Sequence, residues 1–300
     1  IITALAVSSA NKGDVVLTAT QINDDITAGW NLGNTFDASS GTVLASAKNR
    51  TSSEGTDYET MWGQPVTTRD MIKAVYDKGF NAIRIPVTWN HHIVDKDQTG
   101  ANISIAPAFL NRVKEVVDYA YDLGMYVIIN THHDTSDYSN GKANLAACNA
   151  GSDAVSWATD VPFQLFNAES VSVSNAQMCT YIKRLWTVIA NAFKEYDHHL
   201  IFEGYNEILG KSRSDWSDPS AARRTNARNL NQAFIDAVRA TGGKNATRVL
   251  SVESYGAMLS SASAASVSGL ADSANDALLL QAHYYTSVDS AVANASANIR

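Results

Sequence analysis

The sequence predicts a (β/α)8 barrel, of which about six of the eight βα units fall within the 300 residues, and three observations carry that reading. Short apolar runs alternate with amphipathic helical patterns, the mark of crossover units and a parallel sheet. No G-x-G-x-x-G or P-loop turn follows the first apolar run, which argues against the open nucleotide-binding sheet. Polar residues cluster just after several different runs, where a barrel gathers the C-terminal ends of its strands at one mouth.

Taken in order, the strand candidates are 28–33, 81–89, 126–130, 200–206, 248–253 and 277–284. Each is rich in Val, Ile, Leu or aromatic residues, as strands buried on both faces are. A helix from Thr68 to about Lys78 stops before Gly79. A second carries Phe109, Leu110, Val113, Val116, Val117 and Ala120 at helical spacing and ends near Gly124. The third, 176–196, repeats the pattern with Ile182, Leu185, Trp186, Ile189, Ala190 and Phe193, and the fourth with Ala227, Leu230, Ala233, Phe234, Ala237 and Val238 before Gly242. Strands start roughly every 50 residues, as in a barrel with inserted loops, so two further units are expected beyond residue 300. Residues 1–20 read as an N-terminal segment, with 1–10 resembling the remnant of a secretion signal, and 21–300 as the catalytic barrel domain lacking its C-terminal part.

Composition narrows the function. Hydrophobic residues make up 45% and charged residues 18%, enough to bury a large core. The net charge of −7 offers no basic patch for a phosphate backbone, so nucleic acid is excluded and a neutral polymer fits. No run of 18 apolar residues exists to span a membrane. Cys148 and Cys179 have no metal-ligand spacing; one disulfide and two free thiols are both compatible with the sequence. The reading is a secreted monomer that needs no cofactor and no metal.

The chemistry centres on Glu207. It follows a buried apolar strand and Asn206, and a carboxyl at a partly apolar barrel lip is expected to have its pKa raised and to donate a proton to a leaving oxygen. Asn206 is placed to bond a sugar hydroxyl. Arg84, inside an apolar strand, needs a carboxylate partner, either Glu203 or a catalytic carboxylate, and one guanidinium fork can serve both. Glu203 reads as a paired barrel residue rather than a catalyst. His132 and His133, adjacent on an extended segment, should point in opposite directions, which suits sugar contacts better than one metal site. His283 and Tyr285, two apart, share a face at the mouth. Trp30, Trp62 and Trp89 lie near strand ends and could stack on sugar rings, although any one alone could be a core residue. Asn34 and Glu253 complete the polar set.

All of these residues but Glu253 fall in the segments AGWNLGNTFDA (28–38), WGQP (62–65), FNAIRIPVTW (80–89), VIINTHHD (127–134), FEGYNE (202–207) and HYY (283–285), which in this order resemble the motifs of glycoside hydrolase family 5 cellulases. The resemblance runs from about Gln21 to Tyr285. It implies a retaining endo-β-1,4-glucanase acting on a β-glucan, with Glu207 as acid/base and a nucleophilic glutamate on the seventh strand. It further implies that Arg84 and Tyr285 orient the nucleophile, that Asn206 and His132 bind the sugar, and that His283 steadies the acid/base. Two departures stand out: the nucleophile motif would fall after residue 300, leaving the isolated chain without activity, and Ile208 occupies a position where the family usually has Pro. Glu253 is adjacent to Glu207 in such a barrel but is not at the nucleophile position, so it reads as a substrate-contacting carboxylate. Two other readings are a non-catalytic glucan-binding barrel, and a mannanase or xyloglucanase on the same scaffold.

Overall fold

The computed structural model describes residues 15–38, 57–89, 92, 104–135, 175–208 and 219–285. Six strands, β1 (Gly29–Asn31), β2 (Ala82–Ile85), β3 (Tyr126–Asn130), β4 (Leu200–Glu203), β5 (Leu250–Glu253) and β6 (Leu278–Gln281), pair in sequence order, and every pair is parallel. All six expected strands are present, in the order of a (β/α)8 barrel. β3 and β5 end where their apolar runs end, whereas β1, β2, β4 and β6 stop earlier. In β2 the stop is chemical: Pro86 has no N–H for the ladder, and the next amide, Val87, donates to the Asn130 side chain at 3.0 Å.

Strand parity sorts the two faces. Ile83, Ile85, Val127, Ile129, Leu200, Phe202, Leu250 and Val252 point to the helices and join the large outer core. The inward side is layered. Ala82, Tyr126, Ile201 and Val249 fill the bottom of the barrel, and Ile22 of α1 (Ala19–Asp25) packs among them as a plug. That helix is capped by a reciprocal Thr18–Gln21 box and tied by Ala19 N–H to Asp276 O, so the packed part of the chain begins before residue 21. Above the apolar layer, the inward positions become polar: Asn31, Arg84, Asn130, Glu203, Ser251, Glu253 and Gln281.

The helices follow from their sequence signals. In α2 (Arg69–Asp77) the Thr68 hydroxyl caps Met71 N–H, Asp70 sits in the positive first turn, and Gly79 at φ 92° ends the element. Pro107 opens α3 (Pro107–Tyr121), where its missing N–H costs nothing. The outer faces of the sheet are covered further by α4 (Asn175–Ala192) and α5 (Ala221–Ala240), with the Trp186 and Phe234 rings tilted against each other, 4.6 Å between centroids. Cys179 is partly buried on α4, and Cys148 lies outside the described residues. None of the described helices is long and apolar enough to cross a membrane.

Candidate active site

The polar inward layer opens into a cleft of roughly 890 Å³ at the C-terminal ends of the strands. Arg84 is its floor. Its Nε and Nη2 each donate to Glu203 at 2.6 Å in a bidentate pair, Nη2 also reaches Asn206 Oδ1 at 2.9 Å, and Nη1 reaches Asn31 Oδ1 at 3.4 Å. Burial disfavours the guanidinium charge, but the Glu203 carboxylate outweighs it and holds Arg84 protonated. Among the described residues, Glu203 is the carboxylate that Arg84 meets, and Asn130 Nδ2 adds a further bond to Glu203 at 2.7 Å.

One wall carries the histidines. Asn130 is oriented by the Val87 N–H it accepts, so its amide nitrogen faces His132 Nδ1 at 3.0 Å. That ring nitrogen must be the acceptor, which leaves the proton on Nε2, facing Asp37 Oδ2 at 3.8 Å. The expectation that His132 and His133 diverge fails because the chain leaves the extended conformation at His133 and enters a 3-10 turn, His133–Thr135. Both rings line the cleft, 4.5 Å apart, with Trp62 5.5 Å from His133. Burial lowers both, His132 well below its ordinary value and His133 to about 4, so both are neutral hydrogen-bonding groups near neutral pH. Asp37, His132 and His133 offer ligand atoms within 4.8 Å of one another and could together hold a cation. A second such group, Asp197, His198 and His199, lies at the other end of β4.

Glu207 stands at the lip, in the left-handed region at φ 48°, unusual for a residue with a side chain. The turn that carries it leaves β4 through Gly204, where a Cβ would come within 2.8 Å of the Phe234 ring, so only glycine fits. Gly204 O accepts from Trp186 Nε1 at 2.9 Å and from Thr131 Oγ1 at 2.8 Å, which pins the turn. His283 Nδ1 lies 2.7 Å from Glu207 Oε1, and the Tyr285 hydroxyl donates to the same oxygen. The raised pKa expected from an apolar lip is therefore reversed. Burial works upward, but the bonds from His283 and Tyr285, with the charge of Arg84, outweigh it and hold the carboxyl below its ordinary value. Burial and the Glu207 carboxylate in turn push the Tyr285 hydroxyl up to about 12.

A neutral histidine pair, a ring, and one carboxyl gripped at the lip of a barrel cleft make a site for a hydroxyl-rich ligand and a proton transfer. The chain matches the cellulase (glycosyl hydrolase family 5) profile over residues 44–299. It belongs to glycosyl hydrolase family 5. Endoglucanase A of Ruminococcus albus is 36% identical over 248 residues, 82% of this chain and 56% of the relative, and Endoglucanase B of Clostridium cellulovorans is 34% identical over 251 residues, 83% and 46%. This family 5 chain thus spans about half the length of the curated relatives it matches. Among solved structures, a GH5-4 broad specificity endoglucanase from Ruminococcus champanellensis with bound cellotriose superposes with a TM-score of 0.72 at 33% identity, over 91% of this chain and 67% of that one. A family 5 enzyme of Prevotella bryantii B14, PbGH5A, gives 0.70 at 38% identity, over 90% and 67%.

Within the family 5 cleft, Asn34, Trp62, Arg84, His132, His133, Asn206, Glu207, His283 and Tyr285 come together. Three expected substrate contacts do not. Trp89 is 0% exposed, its ring packed edge-on against Phe109 and its N–H spent on Asn130 O, because β2 has already turned the segment beneath the β3 end. Trp30 pairs with Ile83, on the helix-facing side of β1, and is 36% exposed there, away from the cleft. Glu253 faces inward but is 1% exposed, sealed beneath Ile208 and Gln281. Sequence reasoning missed Asn31, Asp37, Asn130, Ser251 and Gln281. Four of them could have been found by strand parity, since a polar residue in step with Arg84 must face inward; Asp37 gives no such signal.

Proposed function

We propose that this chain is the catalytic portion of an endo-acting glycoside hydrolase that cleaves β-1,4-glucosidic bonds of cellulose or related β-glucans with retention, and that Glu207 is its acid/base. The observation that supports this reading most is Glu207 at the β4 end of the cleft, hydrogen-bonded by His283 and Tyr285 and facing a wall of neutral histidines and Trp62. In the reaction, Glu207 would bind its proton as substrate displaces water, pass it to the leaving oxygen, and then deprotonate the water that releases the sugar. A carboxylate nucleophile about 5–5.5 Å away completes a retaining pair. Glu203, fully engaged by Arg84 and Asn130, is unsuited to that role, so the nucleophile comes from outside the described residues. His132, His133 and Asn206 bind sugar hydroxyls and Trp62 stacks on a ring face. The protein acts outside the cell as a monomer on a neutral polysaccharide.

Glu207→Gln in the full-length protein is expected to cut carboxymethylcellulose hydrolysis by a factor on the order of 10³, with a much smaller loss on an aryl β-cellobioside whose leaving group needs no proton. Equal losses on both, or no loss on either, would remove Glu207 from the acid role, and a full-length wild type that hydrolyses neither substrate would leave only the glucan-binding reading. One of the similar solved structures is a xyloglucan-specific endo-β-1,4-glucanase, XEG5A, at 34% identity. Xyloglucan therefore belongs beside cellulose, mixed-linkage glucan and mannan in the substrate comparison; hydrolysis of mannan in preference to every glucan would overturn the substrate assignment.

A further inference from the structure

Behind Glu207, out of reach of substrate, lies a second carboxyl with no part in the chemistry above. Glu253, at the end of β5, has its main chain clamped by the buried Asn231 of α5: Asn231 Oδ1 accepts Glu253 N–H at 3.2 Å, and Nδ2 donates to Glu253 O at 2.9 Å. Its side chain then reaches forward on two arms. Oε1 accepts the backbone N–H of Ile208 at 3.1 Å, immediately after Glu207 and its left-handed backbone. Oε2 accepts from Gln281 Nε2 at 3.3 Å, and the same amide nitrogen lies 2.7 Å from His283 Nε2.

The second arm fixes a tautomer. An amide nitrogen only donates, so His283 Nε2 must accept and the ring proton sits on Nδ1, the atom facing Glu207. The first arm depends on a feature of this chain. Pro, which the family pattern usually carries at 208, has no N–H, whereas Ile208 supplies one.

We infer that Glu253 is a positioning residue for the acid/base, holding the Glu207 backbone through Ile208 and the Glu207 side chain through Gln281 and His283. The inference rests on the reading of Glu207 as the acid. Burial, with the nearby Glu203 and Glu207 carboxylates, pushes Glu253 well above its ordinary value, which disfavours a second negative charge behind Glu207. The titratable and charged groups facing Glu207 are His283 and Tyr285 from beyond β6, Arg84 from β2 and His133 from beyond β3. Those facing Glu253 are Glu203 and Glu207 from β4 and its turn, Tyr205, Tyr285 and Arg84.

The test compares Glu253→Ala, Glu253→Gln and Gln281→Leu in the full-length enzyme, with Glu207→Ala as the reference for the acid role. Glu253→Ala breaks both arms and is expected to lower kcat on carboxymethylcellulose about tenfold or more, with KM nearly unchanged and a smaller loss on an activated aryl β-cellobioside. Glu253→Gln keeps an acceptor for Ile208 N–H but sets an amide NH2 against Gln281 Nε2, so it should recover only the part of that loss that belongs to the first arm. Gln281→Leu breaks only the second arm. Glu207 then loses a fixed donor to its ionised form, its pKa rises, and the basic limb of the pH–rate profile moves up by roughly half a unit or more. A merely structural residue would not move that limb. If the limb stays in place in both Glu253→Ala and Gln281→Leu while both substrates lose activity equally, the positioning role is overturned even though Glu207→Ala still discriminates between them. If Glu207→Ala itself loses both substrates equally, the acid assignment has failed and the inference falls with it.

Discussion

At the scale of single residues, environment decides role more than residue type does. Three glutamates lie within two neighbouring strands and the turn after one of them, and each has a different fate. Glu203 meets a bidentate guanidinium, Glu207 meets the side chains of His283 and Tyr285 at the lip, and Glu253 is enclosed. Only Glu207 combines access with hydrogen-bond control, which suits a group that must gain and lose a proton. The enclosed one has a consequence for stability. A carboxyl raised well above its ordinary value holds its proton longer folded than unfolded, so the folded state is favoured most below the unfolded value of about 4.5 and loses that advantage as pH rises toward the folded value. Glu253→Gln cannot titrate. Its melting temperature is expected to fall less between about pH 5 and pH 8 than that of the wild type, and parallel curves would show that Glu253 ionises freely in the folded protein.

At the scale of elements, the strands were legible, as were the ends of β3 and β5, and the ends of the other four were not. The apolar runs gave all six strands because burial on both faces leaves a continuous hydrophobic signal. Parity within those runs carried the site as well: Arg84 and Glu203 could be paired from sequence, and Asn31, Ser251 and Gln281 stand in the same inward layer. What the sequence could not convey was the path by which the chain leaves the sheet. That is why Trp89 looked like a cleft residue, although it folds under the β3 end, and why His132 and His133 were expected to diverge. The exit from β4 is the most constrained. Gly204→Ala would drive a Cβ into Phe234 and displace the turn that bears Glu207. The variant is expected to lose on the order of 1–3 kcal/mol of stability and a disproportionate share of activity, by denaturant unfolding and assay at a temperature where it is fully folded. An alanine variant of wild-type stability would mean that the Phe234 ring yields at no cost.

At the scale of the molecule, the described part of the barrel sets a polar mouth on an anchored bottom. Arg248, buried at the start of β5, gives its guanidinium to the carbonyls of Asp197, Leu200, Phe193 and Tyr196 and to Asn245 Oδ1, lacing β5 to β4 and the end of α4. Together with the Ile22 plug, it supplies the rigid floor on which the polar layer is set. The barrel class and the family were legible because five of the six motifs fall, in order, at the ends of β1, β2, β3, β4 and β6. Preference among glucans was not, because it is read by loops, whose shape no strand pattern encodes. The central claim concerns the reaction of the whole enzyme, and the stereochemistry of its product tests it most directly. Proton magnetic resonance of the full-length protein acting on a soluble cello-oligosaccharide should show the β-anomer first, with the α-anomer growing in only by mutarotation, as a double displacement requires. First appearance of the α-anomer would mean a single displacement by water and would contradict a retaining acid/base role for Glu207.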